Sequence, residues 1–136
     1  MNHGRHVPRM EEHMRETLLS ILVAAIAYLL GCFSTGLTVS GAKGVDIRNR
    51  GSKNTGASNV LRVMGLKSGL ITFAGDFLKA ALACWIGSLI LPGTTFGIAR
   101  YGMMLAGLFA IIGHNWPVFY GFKGGKGVAC SAAVVF

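Results

Sequence analysis

Acidic side chains are scarce in this chain. Asp and Glu total 5 against 13 Lys and Arg, and charged residues make up 13% of the 136 positions. A soluble domain carries about 25%, so there are too few polar side chains here to clothe a water-facing surface. Asp, Glu, Lys and Arg are missing altogether from Thr17 to Ala42 and from Tyr101 to Phe122, and Ser68 to Gly93 contains only Asp76 and Lys79. Cysteine is also sparse. Cys32, Cys84 and Cys130 form an odd set without CxxC spacing, which argues against a disulfide framework or a zinc site; Cys84 reads as a small core hydrophobe. His3, His6 and His13 show no ligand spacing, so no metal is expected. Neither a tandem repeat nor a low-complexity linker is present.

What is there is 52% hydrophobic and gathered into runs. About 20 predominantly apolar residues cross the hydrocarbon core as a helix, so the three runs are read as three full spans. A fourth run starts at Val128 and stops at Phe136, too short to cross, and the chain is expected to be a C-terminally incomplete fragment. The predicted elements are a helix over 17–40, a loop over 41–65, a helix over 66–91, a turn at Pro92-Gly93, a helix over 98–113, a loop over 114–127 and a helix from about 128. The fold class is all-α, a polytopic integral membrane helical bundle. Its division is an extracytoplasmic tail over 1–16 and one membrane domain over 17–136. The first apolar run exceeds that of a signal peptide and leads directly into a basic loop, so it is read as a retained helix. Met10 and Met14, just before it, mark the tail as a candidate upstream extension. Small residues four apart (Ala80 and Cys84, Ala83 and Gly87, Gly102 and Ala106) predict close helix contacts in lipid.

Lys43, Arg48, Arg50, Lys53, Arg62 and Lys67 crowd the first loop, and Lys123 and Lys126 follow the third span, whereas only Arg100 lies between spans two and three. The positive-inside rule places both basic loops in the cytoplasm and the N-terminus outside. The net charge of +8 then faces anionic lipid and anionic substrates rather than nucleic acid.

Both loops are rich in groups that hold phosphate. The first runs from Arg48 to Arg62 and holds Ser52, Lys53, Asn54, Thr55, Gly56, Ser58 and Asn59. A capped turn would use such Asn and Ser side chains on neighbouring backbone; a small, polyhydroxylated anion would use them as well, and Arg48, Arg50 and Arg62 add bidentate donors. The second runs from Gly113 to Gly127 and ends Gly121-Phe-Lys-Gly-Gly-Lys-Gly127. It is not a nucleotide P-loop, since Tyr120 stands where the first Gly is required and Gly127 where Ser or Thr is. Accessible backbone in Gly124, Gly125 and Gly127, the charges of Lys123 and Lys126, and the start of the following helix all suit an anion. His114 and Asn115 close the third span, where His114 could orient a phosphate or move a proton. Trp116, Phe119 and Tyr120 read as an interfacial aromatic belt. Asp76 and Lys79 share a helix face three residues apart and read as a mutually neutralising structural pair, with one of them facing the site from beneath as the sharper alternative.

Taken in order, these motifs resemble one family. They are Asp46-Ile-Arg48, then Gly51-Ser52-x-Asn54-x-Gly56-Ala57-x-Asn59-x-x-Arg62-x-x-Gly65, then Gly75-Asp76-x-x-Lys79, and then Gly113-His114-x-x-Pro117-Val118-Phe119-x-x-Phe122-Lys123-Gly124-Gly125-Lys126-Gly127-Val128-Ala129. From about Leu18 to Phe136 the chain resembles the bacterial acyl-phosphate:glycerol-3-phosphate acyltransferases, the PlsY family. The resemblance implies a seven-helix enzyme of the bacterial plasma membrane, with its active site facing the cytoplasm. It implies transfer of a fatty acyl group from acyl-phosphate, supplied by a soluble acyl-phosphate synthase, to the 1-hydroxyl of sn-glycerol 3-phosphate, giving lysophosphatidate and phosphate as the first acylation of phospholipid synthesis. Neither metal nor cofactor is implied. Arg48, Ser52, Asn54, Gly56, Asn59 and Arg62 would form a polar wall, His114, Asn115 and Lys123 to Gly127 the phosphate loop, and Arg48, Ser52, His114 and Lys126 are the candidates for catalysis. Three positions depart from the family pattern: Cys32 replaces a usual Ser, Lys53 a frequent Gly, and Ala80 a usual Gly. The competing reading is a small polytopic transporter of a phosphorylated metabolite.

Overall fold

The computed structural model describes residues 9–136; His3, His6 and the first half of the expected tail lie outside the described residues. The elements are α1 (Arg9–Cys32), α2 (Thr35–Ala42), α3 (Ala57–Met64), α4 (Leu66–Ile90), β1 (Thr94–Thr95), β2 (Ile98–Ala99), α5 (Tyr101–Asn115) and α6 (Val128–Val135), with 3-10 turns at Ile47–Asn49 and Val118–Tyr120. Three helical segments are long and apolar enough to cross a membrane: Arg9–Ala42, Leu66–Ile90 and Tyr101–Tyr120.

Each long helix buries a stripe of small residues at helical spacing. On α1 it is Val23, Ala27 and Gly31. On α5 it is Gly102, Ala106, Ala110 and Gly113, ending in His114. The stripe on α4 changes chemistry along its length, from Ser68, Thr72 and Asp76 to Ala80, Ala83 and Gly87. α5 packs against both α1 and α4, while α6 packs on α4 and α5. Lipid tails are as apolar as the helices, so association rests on close van der Waals packing. The contact shows this where Gly87 and Gly102 meet: a Cβ on Gly102 would lie 2.2 Å from the Gly87 carbonyl oxygen, and one on Gly87 2.3 Å from that of Gly102. The three small-residue pairs expected to pack are all buried. Large apolar side chains instead face outward, among them Leu18, Ile21, Leu29, Leu78, Trp85, Leu89, Met104 and Leu108, which is the arrangement a hydrocarbon solvent requires.

Four local expectations change. α1 reaches back to Arg9, into the stretch read as tail. The helix expected over 17–40 is two, because Ser34 adopts an extended conformation and its hydroxyl accepts the Leu37 N–H at 3.3 Å, capping a new helix. The first loop is not irregular throughout: it contains α3, which stacks on α4. The third span starts at Tyr101 rather than 98, preceded by a hairpin that pairs Thr94 with Ala99 and Thr95 with Ile98. The two residues of its turn, Phe96 and Gly97, both have positive φ (52° and 76°), the turn that matches strand twist; no Asn-Gly or Asp-Gly pair announces it in the sequence.

Candidate functional site

The break between α1 and α2, the loop with α3, the polar half of α4, the end of α5 and the start of α6 gather at one end of the bundle. Between them lies a cleft of about 210 Å³. The first loop contributes Ser52, Asn54, Gly56, Ser58, Asn59 and Arg62 to its wall. The second contributes Lys126 and Gly127, while Asp76 and His114 stand at the base. The two loops touch: a Cβ on Gly56 would lie 3.9 Å from the Lys126 backbone nitrogen and 4.0 Å from Gly125 Cα.

Most of the first loop's polar groups hold the loop itself. Asn59, 2% exposed, accepts the Ser52 N–H on Oδ1 at 2.9 Å and donates from Nδ2 to the Arg50 and Asn54 carbonyls at 3.0 and 2.8 Å. Asn54 Oδ1 accepts the Gly56 N–H at 2.8 Å. The capped-turn reading therefore describes these two amides, and through them the loop presents Ser52 and Arg62 to the cleft. Lys53 sits at φ 61°, a left-handed conformation that suits Gly, which gives a physical reason for the Gly frequent at this position in the resembled family.

Two helices begin at the cleft. α3 starts after Gly56 and α6 after Gly127, and neither start has a side-chain cap. Gly56, Ala57 and Ser58 line the cleft from one side, Gly127, Val128 and Ala129 from the other. First-turn N–H groups have no partner inside their own helix, and the helix dipole adds partial positive charge. The start of α6 was legible in the sequence. The start of α3 was missed, since Gly-Ala-Ser-Asn is a weak helix opening; in the structure α3 stacks on α4.

The second loop folds back onto the end of α5. The Gly124 N–H donates to the Asn115 carbonyl and the Gly125 N–H to the His114 carbonyl, each at 3.1 Å. No side chain fits there: a Cβ on Gly124 would lie 1.9 Å from the His114 carbonyl oxygen, and one on Gly125 2.0 Å from His114 Nε2. Beneath the loop, Lys79 Nζ lies 2.9 Å from Asp76 Oδ1 and 3.0 Å from His114 Nδ1, and also donates to the Phe33 carbonyl. Asp76 and Lys79 are thus a buried pair, as expected, and Asp76 also reaches the cleft wall.

Some expected site residues stand elsewhere. Arg48 lines a separate depression with Tyr120, where its Nε and Nη2 donate to the two Asp46 carboxylate oxygens at 3.0 and 3.2 Å. That guanidinium hydrogen bond, with the Arg48 backbone N–H, holds the Asp46 carboxyl below its usual range, and the same carboxylate pushes the Arg48 guanidinium further up. Asn115 lies behind the second loop, its Oδ1 buried beside Gly127. Lys123 is exposed and is not part of the cleft wall. Gly124 and Gly125 shape the loop behind that wall. Cys32, 1% exposed, is core, and Ser34 next to it caps α2.

Fold and site define a helical integral membrane protein with polar loops converging at one end of the bundle. The family model described as glycerol-3-phosphate acyltransferase matches residues 21–136. Similar curated proteins carry the name glycerol-3-phosphate acyltransferase: one from Thermoanaerobacter sp. (strain X514) is 44% identical over 119 residues, covering 87% of this chain and 57% of the relative. One from Aquifex aeolicus (strain VF5) is 44% identical over 117 residues, covering 86% and 58%. The fold resembles a crystal structure of PlsY, an integral membrane glycerol 3-phosphate acyltransferase, in its glycerol 3-phosphate form. The TM-score is 0.75 at 44% identity, covering 86% of this chain and 56% of that one. A lysophosphatidic acid form matches with a TM-score of 0.72. The chain belongs to the glycerol-3-phosphate acyltransferase (PlsY) family, and it spans a little over half the length of these relatives.

Proposed function

We propose that the whole protein transfers a fatty acyl group from acyl-phosphate to the 1-hydroxyl of sn-glycerol 3-phosphate at the cytoplasmic face of the bacterial plasma membrane. The observation that carries this reading is the meeting of two sequence-distant loops in one cleft, with two uncapped helix N-termini, Arg62 and Lys126 on its walls. Backbone N–H groups and cations together are an anion site. Both substrates carry phosphate, and one carries a hydrocarbon chain. Phe73, in the cleft wall, also lines an adjoining apolar groove with Leu61, Leu66 and Leu70, all four exposed at the protein surface. That juxtaposition suits a donor whose phosphate is held and whose chain stays in the membrane.

In the reaction the glycerol hydroxyl oxygen bonds to the acyl carbon, the carbon–oxygen bond to phosphate breaks, and the hydroxyl proton ends on the departing phosphate. Acyl-phosphate is already activated, so the protein's contribution is positioning and stabilisation of negative charge. In this reading Arg62, Lys126 and the N-termini of α3 and α6 supply that stabilisation. The soluble acyl-phosphate synthase is the proposed source of donor, and the product, lysophosphatidate, remains in the lipid.

The test uses radiolabelled glycerol 3-phosphate and membranes carrying a full-length form, in which this chain is followed by the segment its relatives possess. Label is expected in lysophosphatidate with acyl-phosphate as donor. Equal use of an acyl-CoA ester overturns the donor assignment. Unmodified label accumulating inside sealed vesicles favours the transporter instead.

A further inference from the structure

Anion binding by the loops does not by itself call for charges buried below them, yet Asp76, Lys79 and His114 side chains are only 2%, 7% and 5% exposed. A charge inside a span is costly unless partnered, and the pattern of partners here fixes a proton. An ammonium has three donors and no acceptor; Lys79 donates to the Phe33 carbonyl, meets His114 Nδ1 at 3.0 Å and lies in ion-pair contact with Asp76. His114 Nδ1 must therefore accept. A neutral imidazole has one donor and one acceptor nitrogen, so its hydrogen sits on Nε2. That nitrogen lies against Gly125 of the second loop, and the ring lines the cleft.

We infer that Lys79 is a positioning residue: it holds His114 as the neutral Nε2–H tautomer, the form on which Gly125 of the second loop is seated beside the cleft. Asp76 Oδ1 lies only 3.7 Å from His114 Nδ1. Without the intervening ammonium, that carboxylate draws the hydrogen to Nδ1, and Nε2 then turns a lone pair toward the second loop at Gly125. Lys79 thus does more than neutralise Asp76; it keeps Asp76 from reversing the imidazole. Its reach from α4 to the Phe33 carbonyl also ties this arrangement to the break between α1 and α2. The kinetic arm of the test rests on the proposed function, but the tautomer itself does not.

The test is nitrogen-15 spectroscopy of histidine-labelled full-length protein in detergent, with the His114 signals identified by their loss in His114→Gln. The wild type is expected to show an acceptor Nδ1 and a protonated Nε2, and Lys79→Met the reverse. With glycerol 3-phosphate as substrate, Lys79→Met is expected to raise KM about tenfold by displacing the loop seated on the ring, with a smaller change in kcat. In a His114→Gln background, whose amide has no tautomer to lose, Lys79→Met should add much less to KM. A protonated Nδ1 in the wild type overturns the inference even if Lys79→Met does not fold. Equal KM increases in the two backgrounds overturn it as well. A wild-type Nε2–H that reverses in Lys79→Met while the protein ignores glycerol 3-phosphate upholds the tautomer lock and discards the proposed function instead.

Discussion

Gly125→Ala is the substitution for which the structure gives the sharpest expectation. The new methyl would stand 2.0 Å from His114 Nε2 and 2.7 Å from its Cε1, whereas ordinary contact begins at 3.4 Å. Something must therefore move by about 1.4 Å. A flexible side chain would absorb this, but the imidazole cannot turn aside, because its Nδ1 is held by Lys79 and the ring is buried. The loop moves instead and strains the two bonds that bind it to α5, from the Gly124 and Gly125 N–H groups. Their loss costs about 1–3 kcal/mol of stability. The larger consequence falls on the reaction, since displacing positioned groups by about 1 Å costs about a hundredfold. Initial-rate measurements on the full-length form in membranes should then show kcat/KM for glycerol 3-phosphate lowered about a hundredfold, with protein still inserted in the membrane. Gly41→Ala, with nothing within 4 Å of the new methyl and a helical backbone, is the control and should gain about 0.5–1 kcal/mol. A Gly125→Ala enzyme within twofold of wild type would refute the claim that the loop is seated on the imidazole.

Asn59→Ala removes the clamp across residues 50–54 and should destabilise the protein by about 2–3 kcal/mol, read as a lowered thermal midpoint in detergent; an unchanged midpoint would mean that the loop is held by something else. Arg62→Ala should lower kcat/KM at least about tenfold, while Arg48→Ala, whose guanidinium is committed to Asp46 outside the cleft, should cost severalfold less. The reverse order of the two arginines would put the anion in the wrong depression. Lys53→Gly relieves a left-handed backbone and should stabilise the protein by up to about 1 kcal/mol, checked by thermal denaturation, where a fall in the midpoint would contradict the strain argument. Gly102→Leu drives a side chain into the Gly87 carbonyl and should prevent recovery of folded protein from membranes, whereas Leu108→Ala on the lipid face of the same helix should be recovered normally.

Membrane character and the number of spans could be read directly from the sequence, because hydrocarbon solvent imposes a simple rule on composition, and the Gly and basic residues of the two loops were plain because they lie close together along the chain. The small-residue pairs of the spans were equally plain, since their four-residue spacing is a property of any helix. The tertiary structure alone decided which polar residues face the cleft. Asn59 stands in the cleft wall, but its amide is bonded to backbone at 50–54, and Asp46 takes one edge of the Arg48 guanidinium; in each case the competing partner is local, but the choice between partner and ligand depends on how the loop folds against its neighbours. The same holds for α3, whose helix is stabilised by contact with α4, and for the Lys79–His114 contact, which joins residues 35 positions apart. Periodicity reports the solvent each face meets, whereas a proton's position or a cleft wall depends on side chains from several helices meeting in space, and no single stretch of sequence encodes that meeting.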